Sequence, residues 1–290
     1  MKNKKIPKTN KERQEFLIKE SEKLVASVFS NLEDNLLAIA RDNQAVYVNV
    51  VSKLVKEIEK FTVNGDIVSP NLLVNNLRVI VQEAVATLTL MDKKHDAYLN
   101  EVMADYYNTI VNHQVDLIKF AKENNIILTE VSEVATNIAT NFPYEKYPFV
   151  TGLGKGTFYV GDKLNILMTN KVLNGLSTVK LANEIEEIFN VKTNIARRIA
   201  RTETSRVLNQ ANKTVYQRAG VNKVKWLDST EAIKGSKKTK ALVCSECRKV
   251  ATTNGGIYNI NELPPLPLHP HCRCTITPIV EETDYSKYMI

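Results

Sequence analysis

The sequence predicts a mainly α protein with a small α+β domain at its C-terminal end. A helical bundle or arm comes first, and a mixed domain knitted by cysteines and histidines follows. Three observations carry this. Apolar residues recur at three- and four-residue steps through most of the first half, the period of helices with one buried face. That pattern stops between Asn141 and Thr157, where two prolines and three glycines crowd together. Beyond Gly220 the period shifts toward alternation. There, all four cysteines of the 290-residue chain and two of its four histidines lie between Cys244 and Cys274.

Composition sets the outer bounds. An apolar fraction of 43% and a charged fraction of 24% are those of an ordinary globular protein. No apolar run approaches the roughly 18 residues of a membrane-spanning helix. Met1 to Lys11 is basic with no apolar core behind it, so it reads as a flexible arm, residues 1–12, and not as a signal peptide. The net charge of +7 is uneven: residues 190–250 hold 15 Lys and Arg against 4 Asp and Glu. A basic half beside a mildly acidic one suits contact with a polyanion or an acidic protein surface, and equally a solvated basic face.

Taken in order, Leu17, Leu24, Val28, Leu32, Leu36 and Ile39 form the first apolar stripe. Val51, Leu54, Val55 and Ile58 continue it after a break expected near Asp42-Asn43, and Gly65-Asp66 ends it. Ser69 is a good N-cap and Pro70 suits the first helical position, where no N–H is needed. Leu73, Leu77, Ile80, Val81, Ala84 and Leu88 follow. A separate helix is expected from Asp92 to Lys122, carrying Leu99, Val102, Tyr106, Ile110, Leu117 and Phe120. His113 lies on that stripe and reads as a hydrogen-bonded core histidine; His95 is given no role. A short helix after Thr129 completes a helical domain, residues 1–145.

Residues 146–159 are read as a Pro/Gly linker. Gly152-Leu-Gly154-Lys155-Gly156-Thr157 is not a phosphate loop, because Gly156 separates the lysine from the threonine. The second domain, residues 160–280, opens with a helix capped by Asp162 and ending near Gly175. Another starts at Ser177 or Thr178. A longer one, Thr193 to Ala219, is stopped by Gly220. Glu203 sits on the margin of its apolar face, with Arg201, Arg206 and Arg197 as available cations. The pair taken is Arg201 with Glu203, as a structural ion pair. Val221 to Leu227 alternates and reads as a strand holding the only tryptophan. A lysine-rich loop, a turn at Thr252–Gly256, a short strand at Ile257-Tyr258 and a last strand, Cys274 to Val280, follow. Residues 281–290 form a tail.

The cluster at 244–274 carries the chemistry. Cys244-x-x-Cys247 aims two sulfurs at one point, and His269-x-x-Cys272 with Cys274 supplies a second set, as in tetrahedral Cys₄ or Cys₃His zinc sites. The metal candidates are Cys244, Cys247, His269, Cys272 and Cys274, with His271 ranked last. Disulfides and unliganded thiols are the alternatives. With four protein ligands available the metal is structural, because a catalytic zinc keeps a position open.

The order of motifs resembles the phage Mu F-like minor head protein family, also described as phage head morphogenesis proteins. The residues that carry the resemblance are Ala200-Arg201-Thr202-Glu203-Thr204 with Asn209, Ala219-Gly220-Val221, Lys225-Trp226, Cys-x-x-Cys, and Pro267-Leu268-His269-Pro270-x-Cys272-Arg273-Cys274. It covers roughly residues 160–280. A departure is the inserted loop Lys234–Lys240. The resemblance implies a low-copy virion protein, in the head interior or at the portal vertex, and in the host cytoplasm during assembly. The implied partners are the portal protein, capsid or scaffolding protein, and DNA through segment 190–250. Lys234, Lys237, Lys238 and Lys240 are the expected phosphate contacts. Two other classes are weighed. A free zinc-dependent nucleic-acid-binding protein fits the cluster and the charge. An enzyme fits poorly: a His-Asn-His nuclease needs a histidine beyond His271, and a transferase must rest on Glu203 with Arg201.

Overall fold

Helix α1 (Asn10–Lys60) runs without interruption for 51 residues. A computed structural model describes residues 8–64, 66–123, 150–169, 178–228 and 244–280. A two-residue hairpin, β1 (Thr62–Val63) with β2 (Asp66–Ile67), turns the chain into α2 (Pro70–Glu123). Helix α2 starts at Pro70, as the Ser-Pro signal predicts. Helices α3 (Val150–Leu167) and α4 (Thr178–Arg218) follow, then strand β3 (Lys223–Leu227) and the short helix α5 (Ser245–Thr252). A 3₁₀ turn, Thr253–Gly256, leads into β4 (Ile257–Asn259), and β5 (Thr275–Pro278) closes the described chain. The mainly α architecture with a small C-terminal sheet is therefore the observed one.

Several expected breaks are absent. The break near Asp42-Asn43 lies inside α1, the two helices expected on either side of Asp92 are one, and the two expected on either side of Thr193 are one. No Gly or Pro stands at any of these places, and polar residues alone do not end a helix. Residues 150–157, expected as linker and turn, are helical too. The expected short helix after Thr129 and the linker residues 146–149 lie outside the described residues.

The chain divides into two compact units, and each long helix α1, α2 and α4 contributes a segment to both. The second unit gathers Glu33–Glu101 and Tyr147–Ala200. Its core is made by Val50, Leu54, Leu73, Leu77, Val81, Leu88, Val160, Leu164, Leu181 and Ile185, drawn from α1 to α4 at helical spacing. The glycines of α3 serve close packing here. A Cβ at Gly156 would meet Lys192 Cγ at 3.2 Å, and one at Gly161 would meet Val85 Cγ2 at 2.9 Å. Within this unit Lys192 Nζ lies 2.6 Å from Asp92 Oδ1 and 2.8 Å from Thr157 Oγ1, and the threonine hydroxyl donates to Asp92 Oδ2. All three side chains are buried. Burial pulls the Lys192 ammonium below its usual range, while the Asp92 carboxylate opposes that shift.

The first unit gathers Met1–Leu32, Val102–Lys146 and Arg201–Ile290. Leu17, Leu24, Val28, Tyr107, Ile110, Val207, Ala211 and Tyr216 are among its buried helical residues. Its sheet has the order β4-β3-β5 and is antiparallel throughout, with Trp226 opposite Ile276 and Lys225 opposite Thr277. All four residues of β5 are buried. Its polar side chains are met by helices: Ser21 Oγ and Thr277 Oγ1 are 3.1 Å apart, and Asn212 Nδ2 donates to Thr275 Oγ1 at 3.0 Å. The Gln14 amide closes the end of β5, donating to Pro278 O and accepting from Val280 N.

Candidate metal centre

The first two cysteines are placed by the start of α5. Cys244 is its N-cap, and its Sγ accepts the backbone N–H of Cys247 at 3.3 Å. This is the ordinary capping interaction with sulfur in place of an oxygen. It puts Cys247 in the first turn, buried, with its sulfur beside that of Cys244. The opposite wall is the loop before β5. There Cys272 N donates to His269 O at 3.1 Å, and His271 takes a positive φ of 64° to close the turn.

These two turns bring the sequence candidates together. Cys244 Sγ and Cys247 Sγ lie 3.1 and 3.0 Å from His269 Nε2, and Cys247 Sγ lies 3.8 Å from Cys272 Sγ. Ligand atoms fall into two groups, each within 4.8 Å: Cys244, Cys247 and His269, then Cys247, Cys272 and Cys274. No disulfide joins any of the four cysteines. His271 joins neither group; its backbone N–H donates to Thr202 Oγ1 at 3.2 Å.

The histidine is oriented for ligation. Its Nδ1 lies 2.7 Å from Pro270 O, an atom that can only accept. Nδ1 therefore carries a proton, and in the neutral ring Nε2 presents its lone pair to the sulfurs. The electrostatics are uneven. The hydrogen bond from Cys274 pulls the Cys272 thiol down to about 5 against the opposing effect of burial. Cys274 is pushed up, first by that same bond to Cys272 and then by burial. Burial also pushes Cys247 up. Burial raises Cys244, but hydrogen bonds from Cys247 and the His269 charge outweigh it, so that thiol ends below its usual value. His269 is raised, chiefly by its bond to Pro270.

A small apolar shell encloses the cluster. Trp226 packs with Cys247, Cys272 and Cys274, and Val250, Tyr258, Leu263, Leu266 and Leu268 close around them. Trp226 Nε1 is buried with no hydrogen-bond partner among the described residues. Helix α4 anchors the loop. Asn209 Nδ2 donates to Cys274 O at 3.0 Å and to Ser205 O at 2.8 Å. The Thr202 and Asn209 of the motif helix thus hold the backbone around the ligand turn.

The other expected site residues fare differently. Glu203 Oε2 is bound by Arg206 Nε at 2.7 Å, and Arg206 Nη1 also reaches Gln210 Oε1. Arg206 stands three residues on, over the same helix face. Arg201 is half-buried on α4. Lys234, Lys237, Lys238 and Lys240 lie outside the described residues. Lys192, counted in the basic segment, is buried in its ion pair and offers nothing to a polyanion. His95, given no role, bonds Asp42 Oδ2 at 2.9 Å. The Asp92–Thr157–Lys192 group was missed, although Asp92 follows Leu88 by four and Lys192 follows Ile188 by four, both on buried stripes.

No helix among the described residues is long and apolar enough to cross a membrane. Residues 162–277 match the family described as Phage Mu protein F like protein. No curated protein and no solved structure shows a match to the chain.

Proposed function

With residues 162–277 as a Mu F-like segment for its premise, we propose that this chain is a phage minor head, or minor capsid, protein acting in head morphogenesis in association with the portal. The family match carries the reading. It falls on the segment that holds both the Arg-Thr-Glu helix and the Cys/His cluster. The protein then belongs to the virion, in the head interior or at the portal vertex, after assembly in the host cytoplasm. Residues 1–145 are the part that meets portal, capsid or scaffolding protein, and residues 160–280 are the Mu F-like domain. Mass spectrometry of purified particles, with co-purification on tagged portal protein, tests this. Recovery in both supports it; a chain present in infected cells but absent from particles and from portal eluates refutes it and favours a free nucleic-acid-binding protein.

The cluster is proposed to hold a structural zinc through residues drawn from Cys244, Cys247, His269, Cys272 and Cys274. The fit rests on the donor set: four thiols and an imidazole whose Nε2 faces two sulfurs. Bound zinc supplies a tetrahedral cross-link between the first turn of α5 and the loop before β5. It takes part in no reaction. Glu203, the one carboxylate on which a transferase reading rested, is engaged by Arg206. Contact with DNA is assigned to phosphates, through Lys234, Lys237, Lys238 and Lys240 and the exposed cations of segment 190–250.

A further inference from the structure

We propose that the metal ion is held by Cys244, Cys247, His269 and Cys272, and that Cys274 stays outside the coordination sphere as a buried thiol beside Cys272. The inference rests on the structural-metal reading above and names which four of the five donors serve.

Geometry makes the selection. A tetrahedral zinc with sulfur at about 2.3 Å and nitrogen at about 2.0–2.1 Å has edges of about 3.8 Å between sulfurs and about 3.5 Å between sulfur and nitrogen. The Cys247–Cys272 separation of 3.8 Å already equals the first. The two sulfur-to-Nε2 separations, 3.1 and 3.0 Å, are short of the second by less than the width of a side-chain adjustment. One face of the tetrahedron, Cys244, Cys247 and His269, is thus assembled, and the fourth corner must come from the side of Cys247.

Cys272 and Cys274 both stand on that side, and their backbones separate them. Cys272 shares its turn with His269 through the Cys272 N to His269 O bond, so drawing one toward an ion draws the other. Cys274 stands at the entrance to β5. Its carbonyl is fixed by Asn209 and the next residue by Asn212, both from α4. Moving Cys274 onto the ion strains two buried hydrogen bonds; moving Cys272 strains only the exposed bond from His271 N to Thr202. With three thiolates and a neutral imidazole around a divalent ion, the centre carries one net negative charge. A fourth thiolate would add another inside a buried shell. Leaving Cys274 outside the sphere avoids that.

The test uses the whole chain loaded with cobalt(II) in place of zinc. Wild type and Cys274→Ser should each bind one ion per chain, with equal sulfur-to-cobalt charge-transfer intensity. Cys272→Ser should lose about a third of that intensity, or the ion altogether. X-ray absorption of the zinc form should count three sulfurs and one nitrogen, a readout independent of any variant. Four sulfurs around zinc, or loss of the ion from Cys274→Ser with retention in Cys272→Ser, overturns the assignment while leaving the metal reading intact. A wild-type chain that takes up neither ion removes both.

Discussion

At the scale of single residues, the polar side chains inside the helical cores matter most. Lys192, Asp92 and Thr157 each bond the other two, so no single member can be removed without costing both of the others a partner. Lys192→Met leaves the Asp92 carboxylate buried and unpaired, at a cost of about 3–5 kcal/mol. Urea denaturation should show the midpoint falling accordingly; a loss under 1 kcal/mol means that the pair is open to water. Asn209 makes a comparable case with neutral groups. Asn209→Ala strips the Cys274 carbonyl of its donor and should cost about 1–3 kcal/mol, measured in the same way. The donor cluster was legible in sequence because ligand spacing is local: Cys-x-x-Cys and His-x-x-Cys each close within a single turn. The Asp92 network was not. It joins residues 65 and 100 positions apart, and no local rule pairs them.

Among the elements, the helices are longer and fewer than the sequence suggested. Breaks were expected where polar residues interrupt an apolar stripe. In α2 the interruption is Asp92, which continues the helix and finds its partners on α3 and α4. The glycines of α3 misled in the same direction. Gly156 read as a linker or turn residue, but what it supplies is room for Lys192, and Gly161 leaves room likewise for Val85. Where glycine does make a turn, after α5, backbone conformation proves it. Gly256 has a φ of 75°, and a Cβ there would meet Ala251 O at 2.7 Å and Trp226 O at 3.3 Å. Gly256→Ala should therefore destabilise the protein by about 1–3 kcal/mol, with the loss concentrated in α5 and β4. Hydrogen exchange of the Val224–Tyr258 pairing region reads this; unchanged protection there would show that the turn relaxes freely.

Taken as a whole, the molecule draws its basic character from fewer cations than the sequence count implies. Lys192 is buried, Arg206 is occupied with Glu203 and Gln210, and Arg248 pairs with Asp228 at 3.0 Å. If the four lysines between residues 234 and 240 carry the phosphate contacts, DNA affinity should fall with salt at a log–log slope of about −3 to −4. Replacing all four with Gln should flatten that slope. A slope near zero in the unaltered chain would remove DNA as a direct partner. The helical character and the small terminal sheet were readable at this scale because hydrophobic period is a property of long windows. The division into two compact units was not, since each of α1, α2 and α4 runs through both with no change of period at the boundary.

Trp226 gives the protein an optical gauge of its own cluster. It is the only tryptophan in 290 residues, is 1% exposed, and packs against Cys247, Cys272 and Cys274. Indole emission therefore samples this one shell and no other part of the chain. Stripping the metal with a chelator should open the shell and shift that emission to longer wavelength, and restoring zinc should reverse it. Cobalt should instead dim the emission, because its absorbing bands sit within a few ångströms of the ring. A single fluorescence trace can thus follow assembly of the centre in the intact protein, at concentrations where the metal itself would be hard to count.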